Sequence, residues 1–314
     1  MSSLFLGGGA PVENREVRIG IGGWEHEALD SVLYGQQGLT SLEKLERYAR
    51  CFEIVEVRPT FWDETLNAED AKSWVGAVSG NPLFRFSVKL HREFTHKRKI
   101  PTELRHRVRG LLGTLDGAGR LAALLVQLPF SFTNTSSNRF FLVRLAEVFH
   151  GFPIHVEFRH SSWHTPSLRP FLEEHGVHLV SADMPRIRQY MPFHTNIFGE
   201  STYVRLHGRN EKGWLLNGLD SRYDYLYNAR EVIELRRRVD TLVHSCRQIA
   251  VVFNNTTGGR AVVNAFQLRS AIRGNLPLEV PSAALKAFPQ LHQIADLTRP
   301  EQTLFESAGF RTAI

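Results

Sequence analysis

The chain has 314 residues, of which 42% are hydrophobic and 22% charged, and this balance excludes a disordered polymer, a collagen and a charged tail. Two cysteines, Cys51 and Cys246, are too few for a disulfide framework or a zinc cluster, so we expect a reducing, cytoplasmic location. No apolar run reaches the roughly 18 residues of a membrane span, and we expect no membrane partner. The net charge of +6 rests mainly on arginine, which suits phosphate and carboxylate binding, although a GC-rich genome explains the same bias.

Residues 1–16 open the chain with Gly7-Gly8-Gly9 and lack the basic start and apolar stretch of a signal peptide, so we expect a flexible tail. Eight short apolar stretches rich in β-branched residues follow, and each predicts a strand. They are Val17–Ile21, Ile54–Arg58, Leu83–Lys89, Ala122–Gln127, Ile154–Arg159, Val177–Ala182, Thr202–Leu206 and Ile249–Phe253.

Apolar residues at helical spacing follow most of these stretches. Thr40 and Glu43 form a capping box ahead of the first predicted helix. Further helices are predicted over Leu104–Leu115, Phe140–Val148, Glu231–His244 and Ala261–Ile272.

Strands that alternate with helices pair in parallel through right-handed crossovers. Eight such units over residues 17–275 favour a single α/β domain, a closed (β/α)8 barrel of the TIM type. The alternative is an open doubly wound sheet, but Gly20–Gly23 matches its G-x-G-x-x-G turn poorly. Residues 276–314 form a C-terminal extension with several prolines and no assigned role in the barrel.

Polar side chains cluster at the C-terminal ends of the predicted strands, where function resides in barrels of this kind. Residues two apart on a strand share a face, so we expect these side chains to meet in one mouth. They are Glu56, Arg58 and Thr60 on the second strand, Lys89 on the third, Gln127 on the fourth, Glu157, Arg159 and His160 on the fifth, Asp183 on the sixth, Arg205 and His207 on the seventh, and Asn254 and Asn255 on the eighth. The alternative is a set of ion pairs, such as Glu157 with Arg205, that merely satisfy one another.

Three segments border this mouth. In Arg85–Arg109, basic residues outnumber acidic ones by nine to two, which predicts phosphate attraction or, alternatively, a solvated surface. Asn254–Arg260 contains Gly258 and Gly259 ahead of a helix, which is typical of an anion-binding turn but also of an ordinary glycine turn. Asn210–Asn228 is long and aromatic, and we regard it as a candidate lid.

Aromatic side chains recur in these loops and either stack on bases or sugars or pack the loops themselves. Trp24, Trp62, Trp163 and Trp214 are examples. We include Trp24 among the candidate ligand-binding residues.

Each candidate suggests a role. His207 is the best general acid or base because an unperturbed imidazole has a pKa of about 6.5. Glu157 would orient it or act as base. We expect Arg159, Arg205 and the Asn254–Gly259 turn to hold phosphate. Lys89 and His96 would add electrostatic stabilisation. The remaining candidates are Glu56 and Asp183 for catalysis and Arg58, Gln127, His160 and Asn255 for ligand binding.

The residues Glu157, His160, Asp183 and His207 could bind a metal, but Arg159 and Arg205 beside them disfavour a cation. We therefore name no metal ligand, and the cofactor stays unknown.

The ordered series of short motifs resembles the YecE-like family, a domain of unknown function (number 72). The motifs include Ile19-Gly20-Ile21-Gly22-Gly23-Trp24, Thr60-Phe61-Trp62, Phe84–Lys89, Val156–His160 with Trp163, Tyr203–Gly208 and Phe253-Asn254-Asn255 with Gly259. The resemblance implies a TIM-type barrel and no settled activity. One departure is Arg58-Pro59, where the family usually has Asn-Ser. An added arginine in the mouth would either favour more anionic ligands or pair with Glu56 or Glu157.

Our leading hypothesis is a protein that binds or processes a phosphate-bearing ligand, nucleic acid included, at the mouth of the barrel. The first alternative is a small-molecule enzyme acting on a sugar, a sugar phosphate or a carboxylated metabolite, with Glu56 and Glu157 as acid and base. The second is a non-catalytic binding protein. If it is an enzyme, the chemistry resembles that of a hydrolase of the phosphodiesterase type or an isomerase.

Overall fold

The computed structural model describes residues 16–187, 189–194, 199–215 and 219–298. Of the tail expected over 1–16, only Glu16 lies among the described residues, and it begins the first strand. Residues 299–314 of the expected extension also lie outside the described part.

Eight parallel strands close into one barrel in chain order, with the first strand paired to the eighth. The strands are β1 (Glu16–Gly22), β2 (Ile54–Val57), β3 (Arg85–Lys89), β4 (Leu121–Gln127), β5 (Ile154–Glu157), β6 (His178–Asp183), β7 (Ser201–Leu206) and β8 (Gln248–Phe253). This confirms the predicted barrel and rules out the open sheet, because a closed sheet has no edge strand.

Helices surround the barrel on its outer face. The α-helices are Glu27–Leu29, Ser41–Cys51, Ala68–Ala77, Arg92–Thr95, Thr102–Gly117, Ser136–Val148, Leu168–Glu174, Glu211–Leu215, Leu219–Arg222, Ala229–Val243, Arg260–Ile272 and Ser282–Ala287. Short 3₁₀ or π turns occupy Asp30–Tyr34, Pro59–Phe61, Ser161–Trp163, Thr257–Gly259 and Pro289–Gln293. The described residues between β6 and β7 contain no helix.

Local sequence explains several of these boundaries. The side chain of Thr40 accepts from the Glu43 amide and the Glu43 carboxylate accepts from the Thr40 amide, which confirms the predicted capping box. Asn228 and Glu231 form a second capping box at the start of Ala229–Val243. Reciprocal caps of this kind satisfy backbone donors that an isolated helix end leaves unpaired.

The barrel interior divides into an apolar and a charged layer. Ile54, Leu125, Val180, Tyr203 and Val252 form an apolar cluster that is separate from the larger core between sheet and helices. Two residues further along their strands stand Glu56, Gln127 and Arg205, on the same inward face because side chains alternate along a strand. The layer that contains Glu56 and Arg205 therefore lies directly above the apolar cluster, toward the C-terminal ends of the strands.

The described part of the C-terminal segment folds back onto the barrel. The helix Ser282–Ala287 packs against Asp30–Tyr34 in the connection after β1, and Leu278 forms an isolated bridge with Ala295. Ala284 and Leu291 are fully buried there. None of the helices in the described ranges combines the length and apolar character that a bilayer crossing demands.

Candidate functional site

The centre of the mouth is a buried arginine between two carboxylates. Arg205 Nε and Nη2 donate to Glu56 Oε2 and Oε1 at 2.9 and 2.8 Å, and Arg205 Nη1 donates to Glu157 Oε2 at 2.6 Å. The hydroxyl of Tyr203 donates to Glu56 Oε2 at 3.0 Å. These bonds cross the barrel interior from β7 to β2 and β5.

Mutual charge keeps this group ionised despite its burial. Burial opposes the charge on Glu56, but Arg205 and Lys89 outweigh it and hold the pKa of Glu56 below its usual value. For Glu157, burial is likewise outweighed by Arg159 and Arg205, and its pKa falls well below normal. Arg205 was expected to hold phosphate, but three of its nitrogens are already bonded to carboxylates, so we correct that expectation.

His207 lies beside Glu157, as the sequence suggested, but not as a group that titrates near neutrality. Its Nε2 lies 3.3 Å from Glu157 Oε2 and its Nδ1 lies 3.1 Å from Asn254 Nδ2. An amide NH₂ can only donate, so Nδ1 accepts and Nε2 carries the proton toward the carboxylate. Burial lowers the pKa of His207 to about 4 against the opposing effect of Glu157. Burial thus moves His207 away from the ordinary pKa of 6.5 on which its predicted acid–base role depended, and the ring is neutral at pH 7.

A glycine allows Asn254 to reach this position. A Cβ added at Gly22 would lie 2.7 Å from Asn254 Oδ1, too close for any side chain. The same oxygen is buried and has no hydrogen-bond partner among the described residues. Close approach of β1 and β8 thus fixes the amide that orients His207.

The predicted lid covers one side of the mouth. Trp214, in the short helix Glu211–Leu215, is buried with its ring 5.0 Å from the guanidinium of Arg159 and 6.0 Å from the ring of His207. Arg159 Nε lies 2.5 Å from Glu157 Oε1. The cation is therefore held between a carboxylate below and an indole above.

A second charged cluster anchors this lid. Asp183 accepts from Arg209 Nε and Nη2 at 2.8 and 2.9 Å, from Arg238 Nη1 at 2.8 Å and from the Tyr227 hydroxyl at 2.9 Å. Arg209 Nη1 also bonds Glu231 and Glu234 on Ala229–Val243. Asp183, expected among the catalytic groups, instead holds residues on both sides of the lid. We call Arg159, Asp183, His207, Arg209 and Trp214 the closed side of the mouth.

The opposite side of the mouth, which we call the open side, consists of Arg58, Phe61, Lys89 and His96. Lys89 Nζ lies 3.9 Å from the centre of the Phe61 ring, and the ring of His96 lies 5.1 Å from that of Phe61. His96 is exposed and the other three are partly exposed. No carboxylate in the described ranges forms a salt bridge with Arg58 or Lys89.

Charge on the open side is poorly neutralised. Burial lowers the pKa of Lys89 to about 7, and the positive charges of Arg205, Arg58 and Arg159 act in the same direction. Burial also lowers the pKa of Arg58, and burial together with Lys89 lowers that of His96. Arg58 Nη1 has a histidine neighbour, with His26 Nε2 at 3.0 Å.

Several candidates do not join either group. Trp24 is buried against Trp74 and donates to the Ser41 carbonyl, so it packs the outer core rather than the mouth. His160 Nδ1 accepts from the Ser162 amide in the turn after β5. Gln127 is partly exposed, and its only described side-chain bond is a long one, 3.4 Å, to the Leu128 carbonyl.

The Asn254–Arg260 turn is occupied by its own chain. The amides of Asn254 and Gly259 donate to the carbonyls of Leu206 and Thr256. Asn255 Nδ2 donates to the Tyr225 carbonyl, which ties the turn to the lid. Gly259 has a φ of +75°, and a Cβ there would lie 2.9 Å from Val32, so packing accounts for this glycine. The anion-binding role expected of this turn stays a prediction.

The helical part of the basic segment Arg85–Arg109 lies outside the barrel. The helix Thr102–Gly117 carries Arg105, Arg107 and Arg109 on the outside of the barrel, and Arg109 Nη1 donates to the Val148 carbonyl at 2.7 Å. Lys89 and His96 of that segment lie on the open side, against Phe61. Within the described ranges, no three His, Cys, Asp or Glu side chains are placed to hold a metal ion.

Some important residues escaped the sequence reasoning. Tyr203 stands two residues before Arg205, and the same alternation that selected Arg205 could have found it. Arg209 follows Gly208, whose φ is +87°, so the strand periodicity no longer applies there. His26 lies in the connection after β1, and no pattern marked it.

Residues 18–285 match the family described as "Protein of unknown function DUF72". The chain is 29% identical over 274 residues to the UPF0759 protein YunF of Bacillus subtilis (strain 168), which covers 80% of this chain and 93% of that protein. A solved DUF72 family protein from Thermotoga maritima MSB8 has a TM-score of 0.72 and 30% identity, covering 82% of this chain and 99% of its own. Another, from Enterococcus faecalis V583, has a TM-score of 0.73 and 27% identity, covering 84% and 97%.

Proposed function

The chain belongs to the DUF72 family, and from that starting point we propose that the open side of its mouth binds a small ligand through a phosphate group. The observation that carries the proposal is an excess of positive charge. Four basic side chains face two carboxylates in and around the centre of the mouth, namely Arg58, Lys89, Arg159 and Arg205 against Glu56 and Glu157. Even with Lys89 neutral, cations remain in excess.

An anion resolves this imbalance. A buried charge without a partner is costly, and ligand oxygens are the natural partners for a guanidinium and an ammonium. Glu56 and Glu157 are both bonded to Arg205, and two negative charges cannot balance all the cations around them. The ligand site is therefore the pair of cations on the open side, in place of Arg205.

The closed side favours a small ligand over a nucleic acid. Trp214 lies over Arg159 and His207, and Glu56, Glu157 and His207 have no solvent exposure. A polymer backbone needs a continuous groove of positive charge, whereas a terminal phosphate needs only one opening. Of the alternatives set out above, this arrangement supports the small-molecule hypothesis.

Calorimetric titration with inorganic phosphate tests the proposal. We expect Lys89→Met and Arg58→Met to weaken binding by about 1.5–3 kcal/mol, as for a hydrogen bond to a charged group. Lys99→Met is the matched control, because it removes the same charge from an exposed position in the same basic segment. Its affinity should equal that of the unmodified chain.

Two outcomes would overturn the proposal. One is equal phosphate affinity in Lys89→Met, Arg58→Met and the control, which would make the attraction diffuse. The other is a short single-stranded oligonucleotide that binds more tightly than phosphate, with a steep salt dependence and sensitivity to Lys89→Met, which would put a polymer at the open side.

A further inference from the structure

Lys89 differs from the salt-bridged lysines of the chain in its surroundings. Lys44, Lys72 and Lys97 each form a salt bridge with a carboxylate, at 2.7, 2.7 and 2.5 Å. Lys89 instead lies at the C-terminal end of β3, inside the mouth, with no carboxylate of the described residues at salt-bridge distance. Its neighbours of like charge are Arg58, Arg159 and Arg205, and Glu56 is the nearest source of opposite charge.

This environment favours a neutral amine. The Phe61 ring, 3.9 Å from Nζ, keeps water from one side of the nitrogen, while its aromatic face attracts an ammonium. Three guanidinium groups and loss of hydration oppose the ammonium more strongly, so the pKa of Lys89 falls to about 7. A lysine that is desolvated or placed next to other cations is the usual form of an amine nucleophile.

We propose that Lys89 forms an imine with the carbonyl group of the anionic ligand, so that the ligand is a phosphorylated aldehyde or ketone. This inference rests on the proposed anion site, because Arg58 would hold the phosphate while Lys89 meets the carbonyl carbon. The half-buried nitrogen, its aromatic wall and its place among cations at the end of a barrel strand carry the argument. The position is also open to solvent, so a carbonyl compound can reach it.

The reaction balances without a further reactant. The neutral Lys89 nitrogen adds to the carbonyl carbon, forming a C–N bond while the carbonyl π electrons move to oxygen. A proton passes from nitrogen to that oxygen and gives a carbinolamine. The C–O bond then breaks with the oxygen leaving as water, its second proton coming from solvent, and the nitrogen returns its remaining proton to solvent. Amine and carbonyl become imine and water, and nothing is oxidised or reduced.

Reductive trapping tests the inference on the unmodified protein. The probes are glycolaldehyde phosphate and glycolaldehyde, which differ only in the phosphate, with cyanoborohydride as the hydride donor that fixes the imine as a secondary amine. Peptide mass mapping resolves all seven lysines of the chain. With glycolaldehyde phosphate at pH 7 we expect Lys89 to be labelled at least tenfold faster than Lys99, the exposed internal control, and inorganic phosphate to slow only the Lys89 reaction.

The pH dependence adds a readout that mere accessibility would not produce. The labelling rate of Lys89 should reach a plateau above about pH 7, where its amine is neutral. A lysine side chain with the ordinary pKa of about 10.4 would still be gaining neutral amine well above that pH. The groups facing Lys89 in this window are Glu56, Arg58, Arg159, Arg205 and His96, and the pKa of His96 lies below it, so Lys89 is the group that titrates.

The outcomes separate this inference from the proposed function. Labelling of Lys89 no faster than that of Lys99, in a protein that binds phosphate at the open side, would overturn the imine while leaving the anion site intact. Fast labelling of Lys89 by both aldehydes alike, without competition from phosphate, would support the reactive amine and contradict the anion site.

Discussion

The two sides of the barrel mouth contain the same kinds of charged residue, but these residues have different roles. On the closed side, Asp183 and Arg209 lie at or just beyond strand ends and are saturated by partners within the chain. On the open side, Arg58 and Lys89 have the same relation to their strands and lack a carboxylate partner. Position at the end of a barrel strand therefore does not by itself distinguish a ligand-binding residue from an architectural one. The difference lies in whether the fold already neutralises the charge.

The largest expected effect is on stability, from the centre of the mouth. Arg205→Met removes the cation that Glu56 and Glu157 share, and breaking a buried pair in this way should cost about 3–5 kcal/mol of unfolding free energy. Arg58→Met, the matched change on the open side, should cost less than about 1 kcal/mol. Urea denaturation measures both. Equal losses would erase the distinction between paired and unpaired arginines.

A smaller effect is expected from the cluster that anchors the lid. Asp183→Asn removes the charge that binds Arg209 and Arg238 and should cost about 1–3 kcal/mol, as for the loss of hydrogen bonds to a charged group. Trypsin should then cleave faster after Lys212 or Arg222 in the lid. Asp240→Asn, which alters the exposed Arg236–Asp240 pair, is the control and should change neither quantity. Unaltered proteolysis in Asp183→Asn would mean that the cluster does not hold the lid.

Titration of Lys89 on the open side should make the affinity for an anion depend on pH. Sulfate stays a dianion between pH 6 and 9, so a change in its affinity reports on the protein. As pH rises through the pKa of Lys89, about 7, the ammonium is lost and affinity should fall several-fold. In Lys89→Met the calorimetric profile should be nearly flat. A slope retained in the variant would assign the titration to another group.

A pH-dependent effect on stability is expected from His207. Its pKa is about 4 in the folded chain, below the ordinary value of 6.5, so the unfolded chain binds more protons between these values. Stability should therefore fall as pH drops from 6.5 to 4, and less steeply in His207→Gln, whose amide can still donate to Glu157. Thermal unfolding across this range is the measurement, with exposed His150→Gln as control. Parallel slopes for both variants would show that burial of His207 contributes little.

The sequence predicted the barrel better than the site because the two depend on different information. Strand order and the inward face follow from apolar runs and a period of two, which predict Glu56, Glu157, Lys89 and Arg205 at or near strand ends. Partners do not follow from periodicity. Glu56 and Arg205 meet across the interior from β2 and β7, and Asp183 meets Arg238 from a helix that no strand pattern connects to it.

The same gap explains the individual failures. Trp24 lies just after the first strand in a distinctive motif. Its ring nevertheless lies in the outer core, where it bonds Ser41 and packs against Trp74. The titration of His207 could not be judged from its residue type, because burial decides its pKa. The glycines of the Asn254–Arg260 turn suggested an anion-binding site. One of them, Gly259, lies where a Cβ would be too close to Val32.

The pairing of the first strand with the last has a consequence for how the chain is made. Residues Glu16–Ile21 pair with Gln248–Phe253, so the barrel cannot close while the eighth strand is still inside the ribosome. Until then one edge of β1 is exposed with its backbone groups unpaired. An unpaired edge of this kind can pair with a strand of another chain and cause aggregation. The contacts between β1 and β8 join residues that are far apart in the sequence. They form slowly, because the entropy of the long intervening chain must be lost first. Premature termination anywhere before β8 would therefore yield an open, adhesive sheet instead of a smaller working barrel.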